Sequence, residues 1–183
     1  MSDNGLINDK NYFSLFNLPL ALPVDQQKLT INYQQLQRFY HPDNFVTHSD
    51  SEKLIKIKQS ADINLAYKTL KDPVNSVEHL LALKGVKINA EQITTDQAFL
   101  LEQFALREQL DKIEKLVNND EKYNNLAQFS ARVSKIWQDT YEQLLTFIQE
   151  TNWLSAVIFT DKLKFLNKLK QSIEKIEDQQ FEI

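Results

Sequence analysis

The stretch DQQKLTINYQQLQRFYHPDNF, residues 25–45, decides how the chain folds. Asp25 stands two residues past Pro23, where its carboxylate can cap the free N–H groups of a first helical turn. From there Leu29, Tyr33, Leu36 and Tyr40 recur at i, i+4, i+7 and i+11, which is one face of an α-helix. Ile31, Gln34, Gln35 and Arg38 point away from that face. The helix must stop before Pro42, because proline disfavours helical dihedrals in the residue ahead of it. A polar loop, HPDNFVTHSDS (41–51), follows. Taken alone, His41-Pro42-Asp43 reads as a turn in which proline fixes φ and the aspartate caps.

Upstream, YFSLFNL (12–18) is a short apolar segment that ends at Pro19. Downstream, a helix is expected from about Glu52 to Leu70, with Ile63, Ala66, Tyr67 and Leu70 on one face. Asp72-Pro73 ends it, and VEHLLALKG (77–85) reads as a short helix stopped by Gly85. After Gly85 the chain has neither Gly nor Pro. Such a stretch lacks the turn residues of hairpins and points to helices. Three are expected, about 96–118, 122–150 and 153–178, separated by Asn118-Asn119-Asp120 and Thr151-Asn152. Phe129, Val133, Ile136, Thr140, Leu144 and Phe147 form a seam on the second; Leu166, Leu169, Ile173 and Ile176 form one on the third. Short connections make neighbouring helices antiparallel, so the reading is all-α with a C-terminal three-helix bundle.

Composition narrows the functional classes. The 183 residues are 42% hydrophobic and 25% charged, enough apolar material for a core. The net charge of −4 argues against nucleic-acid binding driven by electrostatics. Without cysteine there are no disulfides, thiolate metal sites or cysteine nucleophiles. Gly5 and Gly85 are the whole glycine complement, which leaves no phosphate-cradling loop. No apolar run approaches a membrane span, and the start MSDNGLINDK does not read as a signal peptide. A cytoplasmic location is therefore expected.

The His-Pro-Asp loop gains meaning from its flanks. It follows Tyr-x-x-Leu-x-x-x-Tyr and precedes INLAYKTLKDP (63–73). In that setting the sequence resembles a J-domain, the module that activates DnaK-type ATPase chaperones. The segments AFLLEQFALREQLDKIE (98–114), KLKFLNKLKQSIEKIE (162–177) and QSADINLAYKTLKDPVNSVEHLLALKG (59–85) are similar to the HscB-type co-chaperones, bacterial in type, over about residues 11–180. The resemblance implies an L-shaped protein: a J-domain at 11–75, a connector with a short helix at 76–94, and a scaffold-binding bundle at 95–180. It implies no enzyme activity and no cofactor in this chain. ATP would be hydrolysed by an HscA/DnaK-type partner, and the client would be an IscU-type iron–sulfur scaffold.

The resemblance also assigns residues. His41, Pro42, Asp43, Arg38, Gln34 and Lys28 would contact the chaperone, with Asp43 accepting charge-assisted hydrogen bonds from an arginine. Gln34 and Gln35 stand where such domains commonly carry cations, and Asn44 follows the motif where Lys or Arg is typical. Both departures weaken long-range steering. Leu100, Leu101, Phe104, Ala105, Glu108 and Phe165 would contact the scaffold, although Ala105 departs from the acidic residue common there. Periodicity supports part of this set independently. With Leu106 at zero, Phe99, Leu110, Ile113 and Val117 fall within about 40°, whereas Leu100, Phe104 and Leu101 fall near about 120°, 160° and 220°. Phe165 lies only about 60° from its own helix's core centre and reads equally as a core residue.

Two alternatives stay open. The bundle serves a different client of the same adaptor, or His41/Asp43 and His48/Asp50 form an acid–base or divalent-metal constellation. The second lacks another ligand cluster or an oxyanion donor set. His79 reads as a connector-helix residue, and Trp137 and Trp153 as packing residues.

Overall fold

A computed structural model of the chain describes residues 11–40, 50–86 and 97–181. Among these residues there are seven helices and no strand: α1 Tyr12–Leu15, α2 Gln26–Phe39, α3 Asp50–Lys71, α4 Pro73–Leu83, α5 Gln97–Glu114, α6 Asn119–Gln149 and α7 Trp153–Phe181. The chain divides into two compact units, residues 1–86 and 87–183.

Local chemistry sets the ends of α2. The Asp25 carboxylate accepts the Lys28 N–H at 3.0 Å, and the Tyr40 N–H closes the last turn on the Leu36 carbonyl. Leu29 and Tyr40 are buried, with Tyr33 and Leu36 half-buried beside them. The Tyr33 ring stacks on Tyr67 at 3.9 Å, and its hydroxyl bonds Asn64 Oδ1 at 2.9 Å. Gln37 reaches the same amide, the Gln26 amide donates to the Leu70 carbonyl, and the Lys56 ammonium lies over the Tyr40 ring. Partners on α3 fall in number as those on α2 rise, so the two helices form an antiparallel hairpin. Ile63, Ala66 and Leu70 are fully buried in it, together with Phe13, Phe16 and Leu18 from the YFSLFNL segment.

The short helix after α3 begins four residues earlier than VEHLLALKG suggests. Asp72 both ends α3 and caps α4, accepting the Val74 and Asn75 N–H groups at 2.9 and 2.8 Å, with Pro73 in the first turn. Proline fits there because its missing N–H would have had no helical partner. Val74, Val77, Leu80 and Leu81 enter the core, so α4 packs within the first unit. Gly85, at φ +72°, stops α4: its N–H bonds the Ala82 carbonyl and the Val86 N–H bonds Leu81.

His79 does more than sit on a connector. Its Nε2 accepts the Tyr12 N–H at 3.0 Å, and its ring stacks on Tyr12 at 4.2 Å. Asn11 Oδ1 takes the next two N–H groups of α1, so a four-residue helix has its first donors satisfied. An accepting Nε2 requires neutral imidazole with the proton on Nδ1. Burial pushes the His79 pKa below the ordinary value, because it penalises the charged form. The unfolded chain therefore binds the proton more readily than the folded one. Stability from this contact is complete above the unfolded value of about 6.5 and is lost as pH falls through the lower folded value. Urea midpoints of wild type should drop between pH 7.5 and 5.5, and His79→Gln should show a smaller drop. Equal drops would remove His79 from the account.

In the second unit the registers give the topology. Lys122 and Arg132 of α6 meet Glu114 and Gln109 of α5. Phe147 packs edge-on against Phe159, and Trp137 Nε1 donates to Asn167 Oδ1 at 2.8 Å. Both pairings run antiparallel, which leaves α5 parallel to α7, as the Phe99–Phe165 contact and the α5–α7 groove show. Phe129, Val133 and Leu144 are buried with Leu126; Ile136, Thr140 and Phe147 are half-buried. Leu166, Leu169, Ile173 and Ile176 are all buried.

Val117 departs from its expected place in the α5 core stripe. Helix α5 ends at Glu114, and Val117 is 95% exposed. The cause is Asn118, whose side chain caps α6 by accepting the Glu121 N–H. An N-cap residue needs extended dihedrals, so the helix ahead of it has to end first.

Candidate partner-binding surfaces

The His41-Pro42-Asp43 motif lies outside the described residues, as do His48 and the residues between. What the structure describes is the helix leading into it. The outer face of α2 carries Lys28, Gln34 and Arg38, all exposed, as the sequence expects. The Lys28 ammonium stands 3.6 Å from the Asp25 carboxylate. The Lys28 N–H, followed by smaller help from its charge, holds the Asp25 carboxyl below the usual carboxylate range. Lys28 therefore stands next to an acidic group of opposite charge on its own helix end.

Sequence reasoning underrated two members of this face. Ile31 is 54% exposed and Phe39 is 59% exposed. Gln26, Gln27, Thr30, Ile31 and Gln34 line a shallow open depression. The signal was present as i, i+4, i+8 spacing of Ile31, Gln35 and Phe39, but two apolar residues separated by a glutamine are easily set aside as noise.

On α5 the two faces separate as the angles predict. Phe99, Leu106, Leu110 and Ile113 are buried, while Leu101 and Phe104 are 71% and 69% exposed. Leu100, at the flank of the outer face, is only 36% exposed, and Ala105 and Glu108 are exposed beside it. The Lys112 ammonium lies 2.7 Å from the Glu108 carboxylate, and that hydrogen bond holds the carboxyl below its ordinary range. The face thus carries two largely exposed apolar side chains beside an exposed, ion-paired carboxylate.

Phe165 does not stand out with them. It is 7% exposed, packed edge-on against Phe99 and beneath the Arg107 guanidinium, and it lines the groove between α5 and α7. Parallel packing of α5 on α7 brings Phe99 onto its ring, a tertiary contact that one helix's angles cannot reveal. It packs in the wall of the bundle core, as the core reading of its helical angle expects. Among the described residues no cluster of His, Asp and Glu could hold a metal ion, and no helix is long and apolar enough to cross a membrane.

Residues 95–174 match a family model described as the HSCB C-terminal oligomerisation domain. The co-chaperone protein HscB of Proteus mirabilis (strain HI4320) is 40% identical over 173 residues, covering 94% of this chain and 98% of that protein. The solved structure of chaperone HscB from Vibrio cholerae superposes with a TM-score of 0.83 at 38% identity, covering 92% of this chain and 98% of that one. The crystal structure of human co-chaperone protein HscB gives 0.81 at 27% identity, covering 94% and 83%.

Proposed function

The chain belongs to the HscB family, J-type co-chaperones of iron–sulfur cluster assembly, and on that footing we propose that it carries an IscU-type scaffold to an HscA/DnaK-type chaperone. The bundle grips the scaffold through Leu101 and Phe104, helped by Leu100, Ala105 and Glu108. The first unit meets the chaperone through α2 and His41-Pro42-Asp43. Hydrolysis of ATP takes place in the chaperone, with this chain as its regulator.

The observation that carries the reading is the exposed Leu101–Phe104 pair, on the side of α5 opposite its buried stripe. Two large apolar groups exposed one turn apart, on a helix whose opposite face is buried, make a contiguous patch that suits a protein partner. Ala105 is the one feature that favours a different client, since a polar contact common in the family is missing there. Chaperone ATPase turnover with this protein, with and without purified scaffold, tests the proposal. Stimulation by this chain alone, increased further by scaffold, is the expected result. Stimulation that scaffold leaves unchanged, together with no binding of scaffold, would assign the bundle to another client.

A further inference from the structure

We propose that α2 meets the chaperone through apolar anchors, Ile31 and Phe39, and that the partner presents an apolar, weakly charged surface to them. The inference rests on the reading above that α2 is the chaperone-facing helix. It changes the chemistry assigned to that face.

Three observations carry it. The first is charge. Of the positions expected to steer an acidic partner, Gln34 and Gln35 are neutral, Lys28 stands beside Asp25 at 3.6 Å, and Arg38 remains as an exposed cation. A face so arranged has little long-range attraction for an acidic surface.

The second is where apolar area is left in water. Ile31, Gln35 and Phe39 follow one another at successive i+4 steps, which makes a single stripe along the outside of α2. Ile31 and Phe39 are 54% and 59% exposed and about 12 Å apart along the axis, from a rise of about 1.5 Å per residue. Ile31 borders the depression formed with Gln26, Gln27, Thr30 and Gln34. The Thr30 hydroxyl is engaged by the Gln26 carbonyl at 2.8 Å, so it does not compete for a partner group. Amides round an apolar centre suit a partner side chain that is apolar and a rim that is polar but uncharged.

The third is preorganisation and continuity. Phe39 packs edge-on against Tyr40 at 5.0 Å, and Tyr40 is buried. A ring held against a buried neighbour loses little freedom on docking. In sequence Phe39 stands two residues before His41. A partner engaging the motif therefore comes next to Phe39.

The test uses the full chain and its own ATPase chaperone. Stimulation is titrated at about 50 and 300 mM salt, a range over which exposed charges are progressively screened. Wild type should shift its half-saturating concentration less than about twofold across that range. Ile31→Ala with Phe39→Ala should raise it at least about tenfold at both salts, since truncating buried anchors is costly. Turnover at saturation should be retained. Both positions are exposed and alanine favours helix, so the melting temperature should hold; Ile31→Gln with Phe39→Gln repeats the test without shortening the side chains as far.

Gln34→Lys with Gln35→Lys should not accelerate association at low salt, because a weakly charged partner surface offers the added cations no long-range attraction. A marked acceleration would mean an acidic partner surface and would overturn the inference. So would alanine variants of normal affinity beside an Asp43→Asn variant that no longer stimulates, which would leave the proposed function standing. If Asp43→Asn also stimulated normally, the proposed function would fall and the inference with it.

Discussion

Replacing Leu106 by Ala should destabilise the bundle by about 2–5 kcal/mol, whereas replacing Leu101 and Phe104 together by Ser should leave its melting temperature almost unchanged. The two sets lie on one helix and differ in what they touch. Leu106 is 3% exposed and sits in the stripe with Phe99, Leu110 and Ile113. Its loss removes apolar contact and leaves a cavity that neighbours fill only in part. Leu101 and Phe104 are more than two-thirds exposed, so serine removes apolar area from water at no cost to packing. Binding should show the reverse order. The double serine variant should lose scaffold affinity by about 30-fold or more, because anchors of this kind carry about 1–3 kcal/mol each. Leu106→Ala should keep affinity close to normal at temperatures where it remains folded. Basal stimulation of the chaperone should persist in both. Calorimetric melting and scaffold titration on the same preparations check the pattern. A large fall in melting temperature for the double serine variant, or unchanged affinity, would move the client surface elsewhere, with Trp153 and exposed Leu154 as the next places to look.

The parts of this fold that could be read from sequence are those fixed by neighbours in the chain. Asp25 caps the helix that follows it, Gly85 supplies the positive φ that closes α4, and Leu29 and Tyr40 fall on the face that is buried. Each depends on residues within a few positions. The boundaries that escaped are those where one residue serves two elements. Asp72 was legible as a stop, but the same carboxylate starts α4; Asn118 was legible as a break, but its capping role costs α5 its last turn and sends Val117 into solvent. Burial that depends on packing between helices was the least legible. Phe165 is buried because Phe99 from a parallel helix meets its ring, and His79 becomes a cap because α1 folds against α4. The stripe of Ile31 and Phe39 is a different case: periodicity gives its position, yet only the exposed area shows that nothing in the described fold covers it.

Asp43→Asn should leave folding and scaffold binding intact while lowering chaperone stimulation at least about tenfold, because a hydrogen bond to a charged group is worth about 1.5–3 kcal/mol. The substitution keeps the size and planarity of the side chain and removes its charge. A carboxylate offers two equivalent acceptor oxygens to the paired donors of a guanidinium, whereas an amide offers one acceptor and turns a donor toward the same cation. The lost interaction therefore includes a mismatch as well as a missing charge. The polar loop sequence around the motif gives little reason for a folding cost, and a change below about 0.5 kcal/mol is expected. Scaffold affinity should match wild type, since the Leu101–Phe104 face belongs to the other unit. The contrast with the α2 anchors is kinetic as well as energetic. Loss of Ile31 and Phe39 weakens docking and is overcome by raising the concentration of co-chaperone. Loss of the Asp43 charge should persist at saturation, because it removes the contact that couples docking to hydrolysis in the partner. Turnover measured to saturation separates the two, and an Asp43→Asn protein that reached the wild-type plateau would assign the motif to docking alone.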